Sequence, residues 1–592
     1  MKKSLSFLKL ISLLCCLAMV ASALFACGPK EEETDGPDDT DPVVDSDDGK
    51  VEDTDPVEPS KPKDTLIASN QKVVNGKISV NYKITEDTAK AYEKFYAEVH
   101  RDDETDNLYF TNEINPAVRM ADIDIFYGKQ RIDIVGVKAD GTKTVVVSDK
   151  VSTWDEQYNF AMLNATFPVV YYTIDLFSMA SGETRENYKA SEGALPVMDR
   201  APTFVTLDRA TAYDWEKLPE NVYPLPNTTY ENATSGNFHP KHELMAEFIK
   251  ELYTINPSSE FHFYCVDNYC ELILEMFVAN GIPEKNYDVV MISDGTATVT
   301  YYKTYFGGDD AETKYNAMKA EWERIKKAAA EGDEDYLKNV LNGTANGFAV
   351  LQHYPFVIAN EEENVEWWCS RDLFTDNTTS QFIKDKVAAM ESVKYIGINN
   401  MLKALSEADQ AGLKELFRYD SETFSAADEA NKKILLILGT SAMEENLEDY
   451  LAMLNCLYAD EYVIYYKGHP KYPTGLNQEK NALFAEYDIV DIEASIAAEL
   501  ILFYRPDIYL TGWQSTTFKA AQEDKLLILF NHTKVSGTNE ATTNGYGDMP
   551  DMYANIVTHT DGKTYVKLEN HGDDGVSYYD VEGDKIIDAL PA

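Results

Sequence analysis

The run Tyr465-Tyr466-Lys467-Gly468-His469-Pro470 puts a histidine where an apolar strand stops. An imidazole titrates near neutral pH, so His469 can deliver a proton or stabilise charge developing on a phosphate. Taken alone, a His before Pro is also an ordinary packed loop residue. Asp294 ends a second apolar run, Met291-Ile292-Ser293-Asp294-Gly295. A carboxylate at a strand end in a half-closed cleft is raised in pKa by desolvation and can take a proton from a hydroxyl, whereas the plain reading is a turn aspartate before glycine. Between Asp488 and Glu499, two glutamates, Glu493 and Glu499, each offer two acceptor oxygens. Either is otherwise a solvent-facing helix acid. Thr511-Gly512-Trp513-Gln514-Ser515-Thr516-Thr517 supplies hydroxyls. A helix starting at Thr517 would add N-terminal amides that favour an anion, against the alternative of a simple N-cap.

Such residues need strand ends to carry them. From Phe167 onward the rhythm is α/β: Val169 to Ile174 and Thr203 to Leu207 read as buried strands, His242 to Tyr253 as a helix and Glu260 to Cys265 as a strand. Cys270 to Ala279 reads as a helix and Val289 to Ile292 as the strand that runs into Asp294. Helical stretches follow over Ala311 to Asn342 and Ser380 to Leu416. Lys433 to Leu438 opens a second α/β unit, with strands at Val463 to Tyr466, Ile508 to Leu510 and Leu526 to Phe530. Two doubly wound units in series make the crevice between them the expected ligand site. Ahead of them, Thr65 to Val151 alternates apolar and polar residues between Asn-Gly and Asp-Gly turns, the pattern of a small antiparallel β-sandwich. This module holds no catalytic group set, and the fragment from about Asn159 is expected to fold without it. The resulting domains are 1–26, 27–64, 65–158, 159–430 and 431–592.

A strand ending in Lys-Gly-His-Pro, an Asp-Gly pair on an earlier strand end, a later acidic residue and a Gly-x-x-Ser-Thr element together resemble the bacterial GT-B sialyltransferases. Glycosyltransferase family 80 is the nearer match and family 52 a looser one, over roughly Phe167 to Phe530. The resemblance implies an α/β fold with a GT-B-like pair of Rossmann-type domains. It implies transfer of sialic acid, or a related nonulosonic acid, from its CMP derivative to a glycan hydroxyl with inversion and without a metal or cofactor. Its motifs make Asp294 the general base, with Ser293 where many members carry a first acid, and His469 the general acid that assists departure of the nucleotide. They also place Lys467 and Gly468 against the cytosine, Glu499 on the ribose with Glu493 as the fallback, and Ser515 and Thr516 on the donor phosphate. Asp267 and Asn268 are the candidate donor contacts of the first unit. Met443 stands where the family has a tryptophan against the acceptor, so acceptor preference departs from the pattern.

The amino terminus gives the location. Lys2 and Lys3 precede a mostly apolar stretch from Leu5 to Phe25, and Leu24-Phe25-Ala26-Cys27-Gly28 has the form of a lipobox. Cys27 is then expected to be the lipidated first residue of a protein held on the extracytoplasmic face of a bacterial membrane. Glu31 to Lys63 is acidic, rich in Pro, Ser and Thr, and nearly free of large apolar side chains, a composition that stays disordered as a tether. The formal net charge of -48 argues against nucleic acid as a partner, since that demands a basic groove. After Cys27 only Cys265, Cys270, Cys369 and Cys456 remain, which is neither a disulfide framework nor a zinc-binding pattern. The expected partners are a CMP-sialic acid donor, a glycan acceptor and, through its lipid, the membrane. The competing reading is a surface solute- or glycan-binding lipoprotein, or a catalytically silent transferase-like scaffold, since two α/β lobes closing on a ligand serve those roles as well.

Overall fold

The computed structural model describes residues 62–592 apart from 102–107, 164–165, 181–200, 208–213, 220, 226–238, 268–270, 294–301, 342–353, 370–371, 373, 375–378, 440–446, 469–477, 495, 513–514, 520–522, 531–552, 559–563, 570–575, 581–585 and 588–592. The leader, Cys27 and the acidic segment lie outside the described residues. Lys63 onward forms one compact unit.

The module contains β1 (Thr65–Ile67), β2 (Gln71–Lys72), β3 (Lys77–Lys83), β4 (Lys94–Arg101), β5 (Leu108–Ile114), β6 (Met120–Asp124), β7 (Gly128–Val137) and β8 (Lys143–Trp154). They form two facing sheets, ordered β1-β3-β6 and β2-β8-β7-β4-β5. Strict alternation along β3 turns Ile78, Val80 and Tyr82 inward. Asn75 and Gly76, both with positive φ, make the tight turn into that strand. Asn112 stitches the sheets together by donating to the Asp124 carbonyl at 3.2 Å and accepting from its amide at 2.8 Å.

The module shares its core with the first α/β unit. β8 passes through Asp155 and Glu156 directly into β9 (Gln157–Leu163), an inner strand of the next sheet, so a boundary between residues 158 and 159 falls inside a strand. Phe126 meets Phe204 at 5.6 Å and Tyr223 at 5.3 Å, and Tyr127 meets Tyr158 at 5.8 Å. One hydrophobic cluster therefore runs from Val80 and Ile132 of the module into Phe160 and Phe261 of the first α/β unit. Alternation marks which face of a strand is buried but not whose core it enters, so this shared core was not legible in the pattern.

The first unit continues with α1 (Thr166–Ala180), β10 (Thr203–Leu207), β11 (Val222–Pro224), α2 (His239–Ile255), β12 (Glu260–Val266), β13 (Tyr287–Ile292), α3 (Ala311–Glu331), α4 (Tyr354–Glu361), β14 (Val365–Cys369), β15 (Val393–Tyr395), α5 (Ile398–Ala404) and α6 (Glu407–Leu416). Its seven strands are all parallel, in the order β11-β10-β9-β12-β13-β14-β15. Val169 to Ile174, expected as a strand, is instead the middle of α1. Every residue of it is buried, and a fully buried apolar run gives no period by which helix and strand differ. The expected long helix from Ser380 to Leu416 is broken by β15, and β14 was hidden in a Trp367-Trp368 pair.

The second unit has β16 (Lys433–Leu438), α7 (Leu447–Tyr458), β17 (Tyr462–Lys467), α8 (Gln478–Glu486), β18 (Val490–Ile492), α9 (Ala498–Tyr504), β19 (Tyr509–Gly512), β20 (Leu526–Phe530), β21 (Tyr553–Thr558), β22 (Thr564–Glu569), β23 (Val576–Asp580) and β24 (Ile586–Ile587). They make a nine-stranded sheet, β18-β17-β16-β19-β20-β21-β22-β23-β24. It is parallel as far as β21 and antiparallel beyond, an extension that the sequence reading did not include. The chain is thus α/β, with two Rossmann-type sheets behind an all-β module. Strand order reverses between β16 and β19, and in open α/β sheets the crevice outside the carboxyl ends at such a switch receives ligands.

Candidate functional site

The carboxyl edge of the second sheet collects the candidates. β17 is covered on both faces, with Ile464, Tyr465 and Tyr466 all buried, so the side chain that ends it has no free route to solvent. Lys467 accordingly is only 5% exposed. Its Nζ donates to the Ala494 carbonyl at 3.0 Å and to the Gly468 carbonyl at 3.4 Å. Burial pulls its pKa down to about 8, while the carboxylates of Glu499 and Glu493 pull it upward. Lys467 thus ties the strand end to the loop that leads into α9.

α9 is a single short element wedged between two cores. Ala497 and Leu500 join the cluster built around α1 and the first sheet, whereas Ala498 and Ile501 join the cluster of the second sheet. Helical geometry leaves Glu499 on the remaining side, half-buried. There it accepts a hydrogen bond from Thr517 Oγ1 at 3.0 Å. Glu493, at the end of β18, is exposed.

The third component follows β19. Gly512 has φ +125, and a Cβ there would collide with the carbonyl of Leu438 on β16, so only glycine lets the two strand ends approach at the switch point. Beyond it, Ser515 Oγ accepts from the Thr517 amide at 3.3 Å. The helix expected from Thr517 is a short 3-10 turn, Thr516–Lys519, too brief to gather a macrodipole. Anion binding at this turn would come from individual hydroxyls and amides. The side chain of Thr516 lies outside the described residues.

In the first unit, Asp267 at the end of β12 is fully buried and accepts from Trp367 Nε1 at 3.2 Å, which makes it a post for β14. Next to it, Ser293 donates its amide to the Trp368 carbonyl at 2.9 Å. Burial, reinforced by the charges of Asp267 and Asp372, holds the Cys369 thiol well above its ordinary pKa, so this buried sulfur stays neutral and unreactive. Asp294, Asn268, His469 and Met443 lie outside the described residues; the chain leaves β13 at Ser293 and β17 at Gly468, next to the first and third of these.

Lys467, Gly468, Glu499 and Ser515 therefore share one edge of one sheet. Thr517, read in the sequence as a helix start, joins them through its hydroxyl, and so does the Ala494 carbonyl, which the sequence did not single out. The one signal for a buried Lys467 was its place at the end of an unbroken apolar central strand. Among the described residues, no group of three or more His, Cys, Asp or Glu could hold a metal ion, and no helix is long and apolar enough to cross a membrane.

No family model matches the chain, and no curated protein matches it. Solved structures similar to it include the 2,6-sialyltransferase of Photobacterium sp. JT-ISH-224 in a ternary complex with donor product CMP and acceptor substrate lactose, at 12% identity and a TM-score of 0.49, covering 81% of this chain and 92% of that one. An α/β-galactoside α-2,3-sialyltransferase from Photobacterium phosphoreum is similar at 11% identity and a TM-score of 0.49, covering 67% of this chain and 98% of that one. A sialyltransferase from Photobacterium damsela is similar at 14% identity and a TM-score of 0.44, covering 78% and 92% respectively. Likenesses of this size assign the chain neither a family nor an activity.

Proposed function

We propose that this chain is a glycosyltransferase that moves sialic acid, or a related nonulosonic acid, from its CMP derivative to a glycan hydroxyl with inversion and without a metal. The observation that carries the reading is the convergence of Lys467, Gly468, Glu499 and the Ser515 turn at the carboxyl edge of the second sheet. Gly468 lets a base approach the backbone, Glu499 offers acceptor oxygens to ribose hydroxyls, and Ser515 and Thr516 offer hydroxyls and amides to a phosphate. Asp294 takes the acceptor proton as the acceptor oxygen bonds to the anomeric carbon. On the opposite face the bond from that carbon to the phosphate oxygen breaks, and His469 gives a proton or hydrogen bond to the departing CMP. Lipid on Cys27 would hold this machinery at the extracytoplasmic face.

The test is calorimetric titration of the full chain with CMP and with UMP, followed by assay of CMP-sialic acid hydrolysis. Saturable binding of CMP in preference to UMP, with donor turnover, is the expected result. A chain that neither binds CMP nor consumes the donor is not this enzyme, and a surface binding lipoprotein becomes the better description.

A further inference from the structure

We propose that Lys467 is a positioning residue, a buried ammonium that locks the Gly468 turn to the Ala494 loop and offsets Glu499 and Glu493, so that a nucleotide meets one preformed surface. The inference rests on the nucleotide reading above. Its geometry is direct: one Nζ bridges the carbonyls of Ala494 and Gly468, at 3.0 and 3.4 Å, and so joins the end of β17 to the segment that sets the start of α9. The charges that face it are Glu499 from α9 and Glu493 from the loop after β18. Among the described residues, its register partners on the flanking strands, Leu438 of β16 and Ile492 of β18, are not titratable.

The electrostatic part follows from charge alone. A ligand carrying a phosphate must approach Glu499, and an uncompensated pair of carboxylates would repel it. The ammonium removes most of that repulsion and directs two carbonyl dipoles away from the ligand. Burial without a full counter-ion has a cost, visible as a pKa lowered to about 8, so the proton on Lys467 is lost at mildly alkaline pH.

The sign of the pH effects is fixed. Binding needs the protonated form, so affinity falls as pH rises through about 8. Stability moves the other way. With the folded pKa below the unfolded value, the unfolded chain holds the extra proton between about 8 and 10.5, and the wild type gains stability across that window. A buried lysine kept at such a cost is the pattern of a functional group.

The experiment measures CMP binding to the full chain from pH 7 to 9.5, above the phosphate's second pKa of about 6, for wild type, Lys467→Met and Glu493→Gln. Wild-type affinity should fall roughly tenfold between pH 7 and 9. Lys467→Met should bind weakly at pH 7 with a flat profile, and its melting temperature should lack the wild type's relative rise above pH 8. Glu493→Gln, which changes an exposed side chain, should show its binding midpoint at lower pH than the wild type. A flat wild-type profile, or a Met variant with wild-type affinity and slope, or an unmoved midpoint in Glu493→Gln, overturns the proposal while leaving CMP binding intact. Absence of CMP binding to wild type at every pH removes both readings.

Discussion

At the residue scale, the two proposed proton-handling groups should separate by phenotype. Asp294→Asn keeps the shape of the side chain and removes the base, so sialyl transfer should drop roughly 10²-fold or more with CMP affinity nearly unchanged. His469→Ala should lower transfer and also weaken CMP, because this side chain is assigned to the leaving phosphate. Glu499→Gln should weaken CMP chiefly, since a charged acceptor for ribose hydroxyls becomes a neutral one and the hydrogen bond from Thr517 is redirected. Steady-state kinetics combined with CMP titration distinguishes the three. Equal losses of transfer and of CMP affinity in Asp294→Asn would show a collapsed site instead of a missing base.

At the scale of elements, the tightest constraint is the meeting of β16 and β19 at Gly512. Gly512→Ala adds a strained φ, costing about 1–3 kcal/mol, to a collision with the backbone of Leu438. Its urea midpoint should fall accordingly, and CMP binding should weaken with it because the Ser515 turn hangs from that strand end. A variant with wild-type stability would mean that the two strands can separate without cost. The sequence was most legible where strands were central and capped by glycine. β12, β13, β16, β17, β19 and β20 were each readable from short apolar runs that end in turn residues; Lys467, Gly468, Glu499 and Ser515 were named from motifs, and their strand ends lie along one edge of the second sheet. It was least legible where burial was complete on all sides. α1 reads as a strand because nothing in Val169 to Ile174 alternates, and β14 is a tryptophan pair among helices. Lys467 shows the same blindness at a site: its type suggests a solvated backbone flank, and only the packing of β17 on both faces makes its ammonium a structural tie.

For the whole molecule, the shared cluster between the module and the first sheet predicts a single unfolding unit. Phe126→Ala removes a ring packed on Phe204 and Tyr223 and should destabilise by about 3–5 kcal/mol. Calorimetry should show the transition of the first α/β unit move with it, and deletion of residues 65–156 should leave an aggregating remainder, since Tyr158 and Phe204 would then face water. Two independent transitions, only one of them shifted, would restore the module as a free domain. Charge acts at the same scale: a chain at -48 repels polyanions, so any anionic ligand must be met by local cations and amides. The shared helix α9 carries a mechanical consequence. Because Leu500 belongs to one core and Ile501 to the other, the two sheets are joined by a common wall as well as by the chain between them. Any pull on Glu499 is a torque on that wall, transmitted to α5 and α6 through Leu500 and Tyr504. Occupancy of the second sheet's edge should therefore be audible in the first unit, as slower amide exchange in α5 and α6, which lie on the far side of the wall from the ligand.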